Sequence, residues 1–554
     1  MSIENSYFID NIKSEKIIIY KIGRRQKEFE YMFDDLDVVA YIDDDYHEDI
    51  YNGKKVYNTE NLDEKIDNDE VIIICAKDEE RDEIERYFKK INYEYKTKYF
   101  FDEDIFVLLD DYREDIVGSR KVAIWGTGET KDNLLKSLVH NNYDIDIEMY
   151  LDGDISKSGV ICDGKMVKHI SEIKQDLDNI YIIVASVFYY DIKKELEQYG
   201  LVEGKDFLSY SSFMVKPSKM MKELVNAKQY LNGPGCKRPF EWLYYAWFGV
   251  YCCCSTWVKY PIGNAISSSP EECWNSVTAK LYRLSMINKT YVFCKHDACP
   301  YIGSDLMPKE LEITNDKDIV PKYLTLGIDY TCNLKCSSCR NEIIVASGNQ
   351  LELRKRMIND IINTGWLEKS ERVELSGAGE ALFSKVYKPI LYDKHTTKRK
   401  SISLLTNANL LDREHWDKLK SVYENIRVNI SIDAATEETY NKIRRGGNWS
   451  VLMKNLEMLS QLRKSEELEY IEIRMVVQNT NYKEIIPFVK LGEKFNVDKV
   501  VFTKLLNWDM YSDEDYSEAS MIKNEKIDKR LRDILMDPFM NKEIVVINEF
   551  KKYL

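Results

Sequence analysis

The chain of 554 residues is 44% apolar and 31% charged, which excludes disordered and fibrous classes, and it is longer than one hydrophobic core supports, so several domains are expected. A net charge of −15, drawn from 94 acidic and 79 basic residues, argues against a broad nucleic-acid or anionic-membrane surface. The opening MSIENSYFIDNIKSEK places charges where a signal peptide needs an apolar run, and no stretch of about 18 apolar residues occurs. These features lead us to expect a cytoplasmic protein with no nucleic-acid or membrane partner, acting on a small molecule or a peptide. Twelve cysteines are too many for packing alone and are not expected as disulfides in a reducing compartment. Only Cys75 and Cys162 precede Cys236, and none follows Cys339, so metal or cluster chemistry is expected in the middle of the chain.

The first 215 residues read as two copies of one unit. KIIIYKIG (16–23) matches KVAIWGTG (121–128), VAYIDDD (39–45) matches EMYLDGD (148–154), and VIIICA (71–76) matches YIIVAS (181–186). Each is a short apolar run of buried-strand type, and amphipathic stretches such as KDNLLKSLVHN and DIKKELEQYG lie between them. Alternating strand and helix predicts a small parallel α/β unit in each copy. A Gly-Lys turn recurs in both, at Asn52-Gly53-Lys54 and Asp163-Gly164-Lys165. A polar stretch around 216–235, with Pro217 and the Gly233-Pro234-Gly235 turn, marks a boundary before the cysteine-rich segment.

From about Pro321 longer strand and helix alternations begin. LTLGIDY, RVELSG, SISLLTN, IRVNISID, EYIEIRMVVQ and DKVVFTKLL are strand-type runs separated by helical patterns. Six such steps predict a partial (β/α) barrel with functional loops at the C-terminal ends of its strands. The last 45 residues read as a helix-containing tail.

In TCNLKCSSCRN, directly after the first barrel strand, Cys332, Cys336 and Cys339 have the spacing C-x3-C-x2-C. A compact loop with three thiolates can hold three irons of a cubane and leave the fourth without a protein ligand. A structural zinc site competes, although zinc normally takes four protein ligands. The segment from about Pro321 to Asn507 resembles the radical S-adenosylmethionine (SAM) superfamily. The resemblance implies that the open iron chelates SAM and that electron transfer from the reduced [4Fe–4S] cluster yields methionine and a 5′-deoxyadenosyl radical, with a donor such as flavodoxin or ferredoxin. Ser338 departs from the aromatic residue common there. Later motifs follow the family's order: SGAGEAL (376–382) resembles its Gly-Gly-Glu segment and suggests Gly377, Gly379 and Glu380 as SAM contacts. LLTNAN (404–409) suggests Thr406 and Asn407, and SIDAATEETYNKIRRGGNW (431–449) suggests Ser431 or Asp433 near the ribose and Arg444 or Arg445 near the SAM carboxylate. The plainer alternatives are a helix cap for Asp433 and a solvated helix-end cation for Arg444.

Before the barrel, CKRPFEWLYYAWFGVYCCCSTW, GNAISSSPEECWNS and CKHDACP follow in order. Cys236, one of Cys252–Cys254, Cys294 and Cys299 can supply four thiolates to a second, closed site, iron–sulfur or zinc. This segment resembles the SPASM domain, which carries auxiliary clusters in many radical SAM enzymes, although that domain usually follows the barrel. Alignment of VYCCC with the family pattern favours Cys253. Cys273 reads as packing and His296 as a loop residue. In the N-terminal units, Gly126-x-Gly128 begins like a dinucleotide fingerprint, but Lys131 stands at the third glycine position. The units resemble the Rossmann-like domains of nucleotide-sugar acyltransferases, which suggests Gly126, Gly128 and Asp152 as a nucleotide site. Plain scaffold domains are the alternative.

The expected architecture is therefore α/β throughout: Rossmann-like units at 1–112 and 113–220, a SPASM-like auxiliary iron–sulfur domain at 221–312, a partial (β/α)6 radical SAM barrel at 313–510 and a helical tail at 511–554. The expected activity is reductive cleavage of SAM followed by hydrogen abstraction from a carbon of a sugar, nucleotide-sugar or glycan. Radical modification of a peptide is the alternative. A nucleotide-sugar-binding or redox module with a vestigial SAM site is the non-enzyme alternative. No residue is singled out as the catalytic acid or base.

Overall fold

The computed structural model describes residues 12–554 except 61, 68–69, 113, 231–234, 303–318, 377–378, 394–397, 508–510 and 524–525. Two six-stranded sheets come first. The first contains β1 (Lys16–Tyr20), β2 (Asp37–Ile42), β3 (Ile50–Tyr51), β4 (Lys54–Tyr57), β5 (Glu70–Ile74) and β6 (Tyr99–Phe101), in the order β3-β4-β2-β1-β5-β6. The second contains β7 (Lys121–Trp125), β8 (Ile147–Leu151), β9 (Ile161–Cys162), β10 (Lys165–Lys168), β11 (Ile180–Val184) and β12 (Phe207–Ser209), ordered β9-β10-β8-β7-β11-β12. Strand for strand the order is the same, so the sequence repeat is a repeat of topology. In each sheet the central strands pair in parallel and are buried on both faces, as in Ile17–Ile19 and Ile180–Val184, which is why they read as unbroken apolar runs. The one antiparallel hairpin of each sheet turns at Asn52-Gly53 and at Asp163-Gly164, with positive φ at both residues of each pair, as a type I′ turn requires.

The third sheet has nine strands: β13 (Trp242–Ala246), β14 (Gly249–Tyr251), β15 (Tyr323–Gly327), β16 (Arg372–Leu375), β17 (Arg399–Thr406), β18 (Tyr423–Ser431), β19 (Tyr470–Val477), β20 (Lys499–Lys504) and, after the small hairpin of β21 (Ile522–Lys523) and β22 (Lys526–Ile527), β23 (Val545–Val546). Their order is β14-β13-β15-β16-β17-β18-β19-β20-β23, and every pairing except β13–β14 is parallel. The six strands expected from the sequence are the consecutive centre of this sheet. The cysteine-rich segment adds an edge hairpin, in which the apolar run WLYYAWFGV forms β13 and β14. The C-terminal tail adds β23 at the other edge. One sheet thus takes strands from three of the five expected segments.

Side chains alternate across this sheet. Leu324, Leu326, Val373, Leu375, Ile402, Leu404, Val428, Ile430, Ile471 and Ile473 are buried in the core. Thr325, Glu374, Ser403, Asn429 and Glu472 share the opposite face, where Thr325 Oγ1 donates to Glu374 at 3.2 Å and Asn429 Nδ2 to Ser403 at 3.0 Å. The N-terminal units are packed on the rest. Glu28 accepts from Asn288 Nδ2 at 2.6 Å, Tyr210 from Asn264 Nδ2 at 2.7 Å, and Arg356 lies 4.5 Å over the Tyr190 ring. Among the described residues no helix is long and apolar enough to cross a membrane.

Candidate cluster and cofactor site

Cys332, Cys336 and Cys339 lie on the loop that leaves β15 at its C-terminal end. The strand end is fixed first: Ile328 and Asp329 N–H groups donate to the Tyr387 hydroxyl at 2.7 and 3.0 Å, and that hydroxyl donates to Leu326 O at 3.1 Å. Buried Asp329 then gathers Arg354 Nη1 at 2.6 Å, Ser384 Oγ at 2.5 Å and the Thr331 N–H and hydroxyl. Beyond it the loop is clamped to distant backbone, Cys332 N to Ile344 O at 2.9 Å, Lys335 N to Arg445 O at 3.0 Å and Ser337 N to Ile443 O at 2.9 Å. Cys336 is buried, Cys332 half-buried and Cys339 exposed. Burial pushes the Cys332 thiol up to about 11 and raises that of Cys336. A bound metal would have to displace those protons. Each sulfur also meets a donor: Leu334 N lies 3.4 Å from Cys332 Sγ, Arg444 Nη1 3.7 Å from Cys336 Sγ, and Arg340 Nε and Nη2 3.4 and 3.5 Å from Cys339 Sγ.

The later motifs converge on this loop. Gly377 lies outside the described residues. A Cβ on Gly379 would stand 2.6 Å from the carbonyl oxygens of both Asp329 and Thr331, and Glu380 N donates to Thr331 O at 2.8 Å. Glycine is therefore needed there so that the β16 loop can lie against the cysteine loop. Glu380 is 2% exposed; its carboxylate accepts from Thr406 Oγ1 at 2.8 Å and Asn407 N at 2.7 Å. Burial raises its pKa against those hydrogen bonds. Asn407 Nδ2 in turn donates to Asn333 Oδ1 at 2.9 Å, tying the β17 loop to the cysteine loop.

After β18 the plainer alternatives for Asp433 and Arg444 give way. The cap of the helix Glu437–Ile443 is Thr436, whose hydroxyl accepts from Thr439 N. Asp433, at φ 63° and 2% exposed, instead accepts from Val476 N at 2.8 Å and pairs with Arg444 Nη2 at 2.8 Å. Arg444 is thus turned inward, and its Nε is buried without a hydrogen-bond partner among the described residues. Arg445 holds the cysteine loop through Nε to Lys335 O at 3.0 Å. Ser431 closes β18 half-buried, opposite Arg474. Sequence reasoning passed over Arg340 and Tyr387; adjacency to Cys339 was the available signal for the first, and the second had none.

Cys236, Cys253, Cys294 and Cys299 line one small cavity together with Arg238. Burial pushes Cys253 up to about 12 and raises Cys236 and Cys294. The Arg238 guanidinium lies 4.2 Å over the Trp242 ring and donates to the Tyr301 hydroxyl at 2.9 Å. Of the neighbouring cysteines, Cys252 is fully buried in the core and Cys254 Sγ meets the Thr256 hydroxyl at 3.2 Å. Cys273 packs so closely on Gly263 that a Cβ there would stand 2.4 Å from its sulfur. His296 Nε2 is 2.9 Å from Tyr291 O. Among the described residues no three His, Cys, Asp or Glu side chains are drawn together as a single metal ion would hold them.

In the second N-terminal unit, Gly126 has φ 127° and packs against the Ala185 carbonyl, 2.2 Å from where a Cβ would stand. Gly128 caps the helix Glu129–Asn141. Asp152 is engaged by Thr127 Oγ1 at 2.9 Å, Lys157 Nζ at 2.7 Å and Asp154 N at 3.0 Å. Lys131, at the third fingerprint position, is buried beside Asp163 and Tyr150.

Residues 328–491, which span the cysteine loop, Gly379, Glu380, Asn407, Asp433 and Arg444, match the radical SAM superfamily. This chain contains a radical SAM domain. The cofactors of such a domain are a [4Fe–4S] cluster and SAM, and its presence marks the protein as an enzyme. Residues 118–206, most of the second α/β unit, match the family described as C2185-like, N-terminal. Among curated proteins, the GTP 3′,8-cyclase of Clostridium botulinum is 28% identical over 187 residues, 33% of this chain and 56% of the cyclase. The antilisterial bacteriocin subtilosin biosynthesis protein AlbA of Bacillus subtilis is 28% identical over 169 residues, 30% of this chain and 35% of its own. The chain thus spans about half, or less, of these relatives' lengths. Streptococcus suis SuiB bound to S-adenosylmethionine aligns at 18% identity over 39% of this chain and 47% of its own, with a TM-score of 0.26.

Proposed function

We propose that the radical SAM domain cleaves SAM reductively and abstracts hydrogen from a carbon of its substrate, with Cys332, Cys336 and Cys339 as the ligands of the SAM-binding cluster. The observation that carries this reading is that the cysteine loop, Glu380, Asn407, Asp433 and Arg444 meet at one end of a parallel sheet, around a buried Arg444 Nε–H that has no acceptor among the described residues. When bound, the cluster supplies the electron that splits SAM. The chain's own groups bind and orient. Arg444, held by Asp433, offers its free N–H to the SAM carboxylate. Ser431 and Asp433 border the ribose. Gly379, Thr406 and Asn407, aligned by the buried Glu380, shape the site beside the cysteine loop. The six central strands β15–β20 form the partial barrel. Cys236, Cys253, Cys294 and Cys299 hold an auxiliary [4Fe–4S] cluster, with zinc as the competing occupant, in a SPASM-like segment fused to the sheet edge. A soluble flavodoxin- or ferredoxin-type donor in the cytoplasm supplies the electron.

For the substrate, the polar sheet face carrying Thr325, Glu374, Ser403, Asn429 and Glu472 favours a hydroxyl-rich molecule, a sugar or nucleotide-linked sugar. A peptide is the second reading, supported by the exposed Trp247, Phe248, Ile343 and Val345, of which Trp247 meets Tyr330 of the cysteine loop edge to face, and by the bacteriocin-biosynthesis relative. In the second N-terminal unit, the packing of Gly126 on Ala185 and the internal engagement of Asp152 favour a scaffold over a nucleotide site at Gly126, Gly128 and Asp152. The test is anaerobic incubation of the reduced, reconstituted protein with SAM and deuterated candidate sugars or peptides. 5′-Deoxyadenosine is expected, with deuterium transferred from the true substrate. Iron-loaded protein that never yields 5′-deoxyadenosine would sink the proposal.

A further inference from the structure

The three thiols of the SAM site are unequally supplied with charge. Cys332 receives a neutral backbone N–H from Leu334 at 3.4 Å. Cys336 faces Arg444 Nη1 at 3.7 Å, but that guanidinium is already balanced by Asp433 at 2.8 Å. Cys339 is the exposed member of the set, and the 7%-exposed Arg340 beside it straddles its sulfur with Nε at 3.4 Å and Nη2 at 3.5 Å. Nη1 of the same group donates to Tyr330 O at 2.6 Å, fixing the fork in place. A planar guanidinium can direct two N–H groups from one edge at a single sulfur while remaining charged at any working pH. Such bonds to a ligand sulfur are among the factors that set a cluster's reduction potential.

We propose that Arg340 is a positioning residue that raises the reduction potential of the SAM-binding cluster through its two hydrogen bonds to the Cys339 sulfur. This rests on the reading of Cys332, Cys336 and Cys339 as cluster ligands. One-electron reduction adds one negative charge to the cluster and its thiolates, so a fixed cation at a ligand sulfur stabilises the reduced form more than the oxidised one. Its burial keeps salt from screening the effect. The electron comes from the external donor and ends on SAM. Arg340 therefore governs how fully a donor of given potential loads the cluster, and leaves the bond broken in SAM unchanged.

The experiment is a potentiometric titration followed by electron paramagnetic resonance on the reconstituted full-length protein and the variants R340K, R340Q and R445Q. The expected order of midpoint potentials is wild type, then R340K, then R340Q at the most negative value, because Gln keeps a donor but loses the charge. R445Q is expected to match wild type, since Arg445 donates to a loop carbonyl and to no sulfur. If R340Q reaches a tenfold lower reduced-to-oxidised ratio at fixed donor potential, the shift is about 59 mV for a one-electron couple. Its 5′-deoxyadenosine yield should then fall with a flavodoxin-strength donor and recover with a stronger reductant. Variants that bind SAM yet titrate with wild type overturn the assignment of Arg340, as does an equal shift in R445Q. Should R340Q fail to take up iron, wild type against R340K decides, and identical midpoints overturn it. A wild-type protein that never assembles a redox-active cluster at these thiols overturns the cluster reading beneath it.

Discussion

At the residue scale, the site is held by contacts that leave almost no room. Gly379 sits between two carbonyl oxygens at 2.6 Å from where a Cβ would be, both belonging to the backbone that carries the cysteine loop. Backbone cannot swing aside as a side chain can, so G379A must displace one loop from the other at a cost of about 1–3 kcal/mol. Gly128 is the contrast: its φ is −102° and nothing lies within 4 Å of the place a methyl would take. Thermal unfolding should therefore show G379A with a lowered midpoint and impaired iron uptake, and G128A, which changes only a helix N-cap, within about 1 kcal/mol of wild type. Equal behaviour of the two would contradict the cradle. Glu380 belongs to the same logic. Its two carboxylate oxygens are occupied by Thr406 and Asn407, so it aligns two neighbouring loops while its own charge stays buried.

At the scale of the elements, the triplet Cys252–Cys254 shows how a hairpin sorts adjacent side chains. Cys252 follows β14 into the core, Cys253 faces the four-thiol cavity, and Cys254 turns toward the Thr256 hydroxyl. C253A is accordingly expected to remove about four iron atoms per chain while SAM cleavage at the first site persists at reduced rate. C254A should retain full iron, and C252A should retain it at a lower melting temperature, because a buried group is lost from the core. Metal analysis by inductively coupled plasma spectrometry checks all three and separates iron from zinc. Retention of iron in C253A together with its loss in C252A would reassign the ligand.

At the scale of the whole molecule, the N-terminal units are built into the protein. Phe29, Met32 and Phe33 of the first unit and Leu224 beyond the second share one apolar core with Leu281 and Tyr282 of the cysteine-rich segment. Ile266 of that segment packs into the core of the second unit. Deleting residues 1–226 would expose these surfaces, at roughly 25 cal/mol for each Å² of apolar area returned to water. The truncated protein should aggregate, or melt well below the full chain, in differential scanning calorimetry with light scattering. A monodisperse truncation with an unchanged melting temperature would show the units to be independent.

The sequence by itself determined what depends on short range. The repeat was legible because each sheet buries apolar strands on both faces and turns at Asn-Gly or Asp-Gly. The six central strands of the third sheet were legible because apolar residues such as Leu324, Leu326, Val428 and Ile430 recur at every second position, and the three-cysteine loop because its three cysteines lie close together in the chain. The choice of Cys253 from its triplet rested on family pattern, and it lies with Cys236, Cys294 and Cys299 around one cavity. Only the tertiary structure decided what depends on distant partners. A helix cap stood as the alternative for Asp433 until Thr436 took that place and Arg444 folded back 11 residues to meet it. In the second unit, likewise, only the folded chain shows that Lys157 and Thr127 donate to Asp152 and that Gly126 packs on the Ala185 carbonyl. The cysteine-rich segment read as separate because pairing of β13 with β15 joins strands about 80 residues apart, and local hydrophobic patterning carries no record of which strand lies alongside. Arg340 acquires its meaning in the same way, since the bond from Nη1 to Tyr330 O and the clamped loop around it aim its charge at Cys339.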